Sequence, residues 1–270
     1  MFHRVLLICI CFVLMGCSLT SRVEHASSIA GAGKLKYQEF QTTDFRLARY
    51  VRISKHNAPI NIYIEGDGFA WLDRRTPSPN PTPKNPLALS LAAQDNSANV
   101  IYLARPCQFV KQPYCQQKYW TTHRFAPEVI EAMNAALEDI KDQYQTSGFH
   151  LIGYSGGGNV AALLAARRND VLSLRTVAGN MDHITFNRHH NVDQMPLSLN
   201  AADIADKIKH IPQHHFVGGE DNMVPKAVLD AYLTKAGQGG CMHTTIVKGA
   251  THQNGWQAHW PQLLQPITCP

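Results

Sequence analysis

The sequence predicts an α/β fold in which a mostly parallel central sheet is flanked by helices on both faces. Two alternating stretches of polar and apolar residues come first and predict antiparallel strands at a sheet edge. Short apolar runs then alternate with helical segments, as in parallel strands joined by crossover helices. The length of 270 residues and the hydrophobic content of 44% suit one sizeable domain.

Individual elements follow from local periodicity. Period-two alternation or a short apolar run predicts a strand, and apolar residues three and four apart predict a helix. We predict strands at 37–42, 45–53, 60–65, 99–104, 149–152, 172–178, 214–217 and 243–247. We predict helices at 87–94, 127–144, 160–166, 201–210, 225–235 and 256–264.

The charge of the chain argues against a nucleic-acid partner. The formal net charge is +5, and basic residues occur singly or in pairs such as Arg74-Arg75 and Arg167-Arg168. A nucleic-acid interface needs clustered basic residues, and the sequence contains no basic run. We therefore expect these charges to be solvated and expect no nucleic-acid partner.

Residues 1–16 have the pattern of a secretory signal peptide. A short basic start precedes an apolar run at 5–15, which is too short for an ordinary transmembrane helix. The run ends in Leu14-Met15-Gly16-Cys17, which resembles the bacterial lipobox, where cleavage precedes a cysteine that is then lipid-modified. An ordinary signal peptide with a nearby cysteine is the alternative, and the small residue Gly16 favours the lipobox.

The lipobox resemblance implies a lipid-anchored protein of the bacterial cell envelope. Acyl chains on Cys17 would be its membrane anchor, and Ser18 favours the outer membrane, facing the periplasm or the exterior. The chain then divides into a signal peptide at 1–16, a flexible tether at 17–36 that is rich in Ser, Ala and Gly, and one domain at 37–270.

The cysteines agree with export. Without Cys17 and the cysteines of the signal peptide, an even number remains for an oxidising compartment: Cys107, Cys115, Cys241 and Cys269. Three pairings are possible. We favour Cys107–Cys115, which closes a small loop, and Cys241–Cys269, which ties the last strand region to the C-terminal tail. A zinc site is the alternative, but no C-x-x-C spacing occurs, so we predict no metal site and no cofactor.

One segment has the pattern of a nucleophile elbow. Gly153-Tyr154-Ser155-Gly156-Gly157 lies between a predicted strand and an Ala-rich predicted helix, and G-x-S-x-G marks a strained turn with a serine at its tip. Small residues flank that serine because the strand and helix backbones approach closely. The N–H of Gly156 can then face an oxyanion. A glycine-rich turn with a surface serine is the alternative.

Candidate partners for this serine follow later strands. A serine hydroxyl needs a base that an acid orients, and parallel sheets place such groups just beyond the carboxyl ends of strands. Asp221 and His252 each follow a predicted strand, which gives the chain order Ser155, Asp221, His252. Asp221 is alternatively a helix N-cap, and Asp182 is then the substitute acid.

Three motifs resemble those of α/β-hydrolase-fold serine hydrolases of the bacterial lipoprotein type: GYSGG at 153–157, GGEDNMVP at 218–225 and GATH at 249–252. The resemblance extends from about residue 37 to the end. It implies a nucleophile, a general base that later acts as acid, and an orienting carboxylate, which are Ser155, His252 and Asp221. The segment 183–199 is too short for a large lid, so we expect a small or absent lid.

In that fold a second oxyanion donor comes from the loop after an early strand. The loop here reads Glu65-Gly66-Asp67-Gly68-Phe69, and the resemblance assigns the donor to the N–H of Phe69, beside that of Gly156. Asp67 stands where histidine is common. Because a carboxylate near an oxyanion is unfavourable, we expect Asp67 to turn away and bond to backbone within its loop.

These features predict an exported, lipid-anchored serine hydrolase that cleaves a small-molecule carboxylic ester or thioester through an acyl-enzyme. Two alternatives remain open. A serine peptidase or amidase would use the same triad, and a binding lipoprotein could use the same scaffold without catalysis. The sequence predicts neither the acyl group nor an oligomeric state.

Overall fold

An eight-stranded sheet organises this computed structural model, which describes residues 20–110 and 112–269. Its strands are β1 (Lys36–Gln41), β2 (Arg46–Ile53), β3 (Ile60–Ile64), β4 (Asn99–Leu103), β5 (Phe149–Tyr154), β6 (Val171–Val177), β7 (Gln213–Gly218) and β8 (Met242–Val247). The order across the sheet is β1-β2-β4-β3-β5-β6-β7-β8. Strand β2 pairs antiparallel with β1 and β4, and the remaining pairings are parallel. This mostly parallel sheet with an antiparallel edge confirms the predicted fold class.

Helices surround the sheet. They are α1 (20–32), α2 (Leu87–Gln94), α3 (Pro127–Tyr144), α4 (Gly156–Ala165), α5 (His183–His189), α6 (Lys226–Ala236) and α7 (Trp260–Leu263), with 3₁₀ helices at Gln117–Trp120 and Ala201–Ile208. Among the residues that the structure describes, no helix has the length and apolar content needed to cross a bilayer.

Neighbouring residues of strand β3 belong to two separate cores. Ile62 and Ile64 pack in one core with residues of α3 and α4, whereas Tyr63 between them packs in the other with residues of α2 and α7. Side chains alternate between the faces of a strand, so β3 is buried only because helices cover both sides of the sheet. The predicted two-sided arrangement is therefore present.

Helix α1 lies within the segment that the sequence predicts as a flexible tether, 17–36. Its residues Ala26 and Ala30 are at most 1% exposed and pack into the core that contains α2. Gly33, just after the helix, lies so close to α2 that an added Cβ would be 2.5 Å from the Cα of Ala93. Small side chains thus let this helix dock closely, although their composition resembles that of a linker. The predicted signal peptide and Cys17 lie outside the described residues.

Two helices, α5 and α7, depart from what the sequence predicts. Helix α5 was not predicted because its polar segment lacks apolar spacing, and its start is fixed by the Asp182 carboxylate, which accepts hydrogen bonds from the N–H groups of Ile184 and Thr185. Helix α7 is shorter than the predicted 256–264. It begins one residue before Pro261, at a position where proline is well tolerated.

Both favoured cysteine pairs are at disulfide distance. Cys107 and Cys115 have Cα atoms 5.5 Å apart and close a loop that follows β4, and Cys241 and Cys269 have Cα atoms 5.4 Å apart. The second pair joins the residue before β8 to the C-terminal tail, as the sequence predicts.

Candidate active site

Ser155 occupies a strained turn between β5 and α4. Its backbone angles are φ 51° and ψ −122°, in a region that non-glycine residues rarely adopt. A Cβ added to Gly153 would lie 2.3 Å from the carbonyl oxygen of Gly157, and one added to Gly157 would lie 2.3 Å from that of Ile64. The strand and helix backbones therefore meet too closely for any residue but glycine at these two positions. This geometry has the features of a nucleophile elbow.

Ser155, His252 and Asp221 form one hydrogen-bonded chain. The Nε2 atom of His252 lies 3.0 Å from Ser155 Oγ, and Nδ1 lies 2.9 Å from Asp221 Oδ2. The Asp221 carboxylate is fully buried, and the His252 side chain is 17% exposed. A carboxylate can only accept, so Nδ1 carries the proton and Nε2 is free to accept the serine proton. The structure thus brings all three predicted residues together in the order that proton transfer requires.

Two adjacent loops deliver the acid and the base to this point. The N–H of Glu220 donates to the carbonyl of Ala250 at 2.9 Å, which ties the loop after β7 to the loop after β8. The second Asp221 oxygen, Oδ1, accepts the N–H groups of Met223 and Val224 at 2.8 and 2.9 Å. The alternative of an N-cap does not hold, because Pro225 is the N-cap of α6 and the Oδ1 bonds close a turn ahead of that helix. One carboxylate oxygen thus fixes the loop and the other contacts His252.

The ring of His252 is also restrained from the side. The Nε1–H of Trp256 donates to the carbonyls of Thr251 and His252, at 2.9 and 3.3 Å. The ring of Tyr154, the residue before the nucleophile, packs against the imidazole with centroids 5.2 Å apart. These contacts limit rotation of the imidazole away from the serine.

The alternative acid, Asp182, has other partners. Besides capping α5, its carboxylate accepts from Thr185 Oγ1 at 2.8 Å and from Asn200 Nδ2 at 2.9 Å. It makes no hydrogen bond to His252 within the described part of the chain.

Among the described residues, no three His, Cys, Asp or Glu side chains are grouped closely enough to hold a metal ion.

The loop after β3 borders the serine, but not through Phe69. The N–H of Phe69 donates to the carbonyl of Pro81 at 2.9 Å, so it is not available to an oxyanion, and the predicted assignment is wrong. A Cβ added to Gly66 would lie 3.1 Å from Ser155 Cβ, so the segment around Gly66 lies beside the nucleophile. In the described residues, the N–H groups of Asp67 and Gly156 donate to no protein acceptor.

The side chain of Asp67 also departs from its prediction. Instead of bonding to backbone in its loop, its carboxylate lies 3.4 Å from Arg105 Nη1 and 3.2 Å from Arg124 Nη1. The two arginine side chains are 5% and 11% exposed, and both guanidinium groups lie over the ring of Phe125. Burial lowers the pKa of Arg105 to about 10, which leaves it cationic at neutral pH. Two cations thus face one carboxylate beside the serine.

Glu65 is a second buried carboxylate beside this loop. Its Oε1 accepts the N–H of Gly66 at 3.0 Å, and its Oε2 accepts the hydroxyl of Tyr102 at 3.1 Å. Burial raises the pKa of Glu65 to about 7, against the opposing effect of these hydrogen bonds. The sequence predicts no role for Glu65, Arg105 or Arg124, although Glu65 directly follows β3 and Arg105 lies two residues past β4.

Comparisons with known proteins identify the fold. No protein-family model matches the sequence, and no curated protein matches it. Among solved structures, an esterase from Pyrococcus furiosus is similar over 85% of this chain and 88% of its own, with a TM-score of 0.61 and 13% identity. Est1E from Butyrivibrio proteoclasticus is similar over 85% of this chain and 98% of its own, with a TM-score of 0.56 and 14% identity. An alpha-beta serine hydrolase homologue from Coxiella burnetii is similar over 84% of this chain and 92% of its own, with a TM-score of 0.53 and 16% identity. The chain therefore has the α/β-hydrolase fold.

Proposed function

We propose that the protein is an exported, lipid-anchored serine hydrolase that cleaves a small-molecule carboxylic ester or thioester through an acyl-enzyme. One observation supports this most directly: the continuous hydrogen-bonded chain from Ser155 through His252 to the buried Asp221. The α/β-hydrolase fold, which esterases also have, agrees with it.

In the first half of the reaction, Ser155 Oγ attacks the carbonyl carbon while His252 Nε2 accepts its proton. The imidazolium that forms is stabilised by the Asp221 carboxylate at 2.9 Å. The protonated Nε2 then donates to the leaving alkoxide or thiolate as the bond from the carbonyl carbon to that group breaks. An acyl group is left on Ser155.

The tetrahedral oxyanion needs two N–H donors. Gly156 supplies one from the first turn of α4, whose positive end faces the developing charge. We assign the second to the N–H of Asp67, which donates to no protein acceptor in the described residues and lies in the loop segment next to Ser155. The two cationic side chains around Asp67 offset its carboxylate charge near that oxyanion.

In the second half, water attacks the acyl carbon and gives its proton to His252, and Ser155 Oγ leaves with the proton that Nε2 returns. The free acid departs, and the triad is restored. No group outside the protein and water is required by these steps.

Cell-envelope location remains part of the proposal. The lipobox resemblance at Cys17 supports it. Replacing Cys17 with serine should release the protein from the membrane fraction and abolish incorporation of an alkyne-labelled fatty acid. Unchanged membrane retention and labelling would contradict the anchor.

A fluorophosphonate probe tests the chemistry. Wild-type protein should be labelled, Ser155→Ala should not, and the exposed Ser28→Ala should label like wild type. Equal labelling of wild type and Ser155→Ala would overturn the mechanism. A serine peptidase or amidase would use the same triad, so turnover of p-nitrophenyl esters and thioesters is compared with that of matched p-nitroanilides.

A further inference from the structure

Gln108 contacts the peptide unit that carries the proposed oxyanion donor. Its side chain is 1% exposed, and its Nε2 donates to the carbonyl oxygen of Gly66 at 3.0 Å. That carbonyl and the N–H of Asp67 belong to the same planar peptide. In a trans peptide the C=O and N–H point in opposite directions, so a bond that fixes the carbonyl also fixes the direction of the N–H.

The other end of the Gln108 amide is also used. Its Oε1 accepts the N–H of Arg105 at 3.1 Å, just beyond the end of β4. The amide therefore has a donor bond to the loop after β3 and an acceptor bond to the loop after β4. Because both ends are engaged in a buried setting, the orientation of the amide is determined and so is that of the Gly66 carbonyl.

The backbone that presents Gln108 is strained. Cys107 and Phe109, on either side, have φ values of 70° and 63°, in the left-handed region that non-glycine residues adopt at a cost of roughly 1–2 kcal/mol each. Such a conformation persists only where its surroundings enforce it. Here the Phe109 N–H donates to Thr82 Oγ1 at 2.8 Å, and the Cys107–Cys115 disulfide closes the loop.

A cavity of about 500 Å³ lies beside this loop, between the disulfide and the proline-rich segment that includes Pro81 and Thr82. Loss of the disulfide would leave the loop room to relax into that space. The Gln108 side chain would then lose its fixed position relative to Gly66.

We propose that Gln108 is a positioning residue for the oxyanion hole: it aims the Asp67 N–H by holding the Gly66 carbonyl, and the Cys107–Cys115 disulfide keeps Gln108 in place. This inference rests on the proposed hydrolase function. It assigns the disulfide a role in turnover as well as in stability.

Two isosteric changes test Gln108 in the full-length protein. Gln108→Glu keeps an acceptor for the Arg105 N–H but removes the donor to Gly66, and Gln108→Met removes both. With p-nitrophenyl acetate, each should lower kcat about 100-fold while KM changes less than about 3-fold, since an oxyanion donor acts in the transition state. The affinity for phenylboronic acid, which forms a tetrahedral adduct with the serine, should fall with kcat/KM.

The second disulfide provides a matched control. Cys107→Ser with Cys115→Ser should lower kcat at least 10-fold at a temperature well below unfolding, whereas Cys241→Ser with Cys269→Ser should lower the Tm without a comparable loss of kcat. The inference would be overturned if the two double variants had equal kcat. It would also be overturned if the Gln108 variants kept the wild-type kcat and the wild-type affinity for phenylboronic acid. A Gln108 variant that lost kcat and Tm but kept the affinity for phenylboronic acid would also overturn it, because that pattern is structural.

The proposed function and this inference fail in different ways. If wild type turns over p-nitrophenyl acetate no faster than Ser155→Ala, the hydrolase proposal fails. If wild type is active and the Gln108 variants match it, only the positioning role fails.

Discussion

The carboxylate of Asp67 lies directly against Gly156: a Cβ added to that glycine would come within 2.1 Å of Asp67 Oδ1. The two residues therefore fit together only because position 156 has no side chain. Since Gly156 and Asp67 are also the two proposed oxyanion donors, the contact couples the steric fit of the site to its chemistry. Arg105 and Arg124 hold the carboxylate in this position.

Replacing Gly156 with alanine tests this contact. The new methyl group would push Asp67 and its loop away, and kcat should fall by about two orders of magnitude, comparable to the loss of one oxyanion donor. In the double variant Gly156→Ala with Asp67→Ala the obstruction is gone, so kcat should return to the value of Asp67→Ala alone. The measurement is kcat on p-nitrophenyl acetate for wild type, the two single variants and the double variant. A Gly156→Ala protein as active as wild type would disprove the coupling.

Asp221 and Asp182 provide a matched pair of buried carboxylates. Asp221→Asn removes the acceptor that fixes the His252 tautomer, so kcat should fall about 10⁴-fold with little change in Tm. Asp182→Asn weakens the cap of α5 and the bonds to Thr185, so it should lower the Tm and leave kcat within a few-fold. Thermal melts and kinetics on both proteins measure this. The reverse pattern would identify Asp182 as the catalytic acid.

The grouping of Ser155, Asp221 and His252 could be predicted from sequence because each residue lies where a strand ends. The strand ends are visible as local changes from apolar runs to glycine-rich loops, and sheet topology then brings those loops together. Ser155, Asp221 and His252 needed no side-chain detail for this prediction. Strand boundaries came within about two residues for the same local reason.

The loop after β3, which carries the second proposed oxyanion donor, could not be predicted in the same way. Whether Phe69 or Asp67 offers its N–H depends on the direction of individual peptide planes. Those directions are set by Pro81 and Gln108, which are distant in sequence from the loop. The direction of the Asp67 side chain likewise depends on arginines from the later loops. A local pattern carries no information on such contacts.

Glu65 should make stability depend on pH. Its pKa is raised by burial from 4.5 to about 7, so between these values the folded protein keeps a proton that the unfolded chain releases. The free energy of unfolding therefore decreases as pH rises through that window, by up to about 3 kcal/mol from this group. Glu65→Gln cannot ionise. Urea unfolding at pH 5 and pH 8 should show a larger decrease in wild type than in this variant, and an equal decrease in both would contradict the shift.

Helix α1 should contribute to the stability of the whole domain. Ala26 is fully buried against the core that contains α2. The Ala26→Asp change therefore places a carboxylate among apolar side chains, away from water and without a compensating hydrogen bond. This should cost roughly 3 kcal/mol of the free energy of unfolding, whereas the same charge at the exposed Ser28 should cost less than about 0.5 kcal/mol. Urea unfolding of both variants measures the difference. If the two variants unfold at the same urea concentration as wild type, the helix is not docked in solution and residues 20–32 behave as the tether that their composition resembles. A selective loss in Ala26→Asp would instead place the start of the folded domain upstream of β1, because a buried alanine can be sensitive to charge only where the surrounding chain is packed.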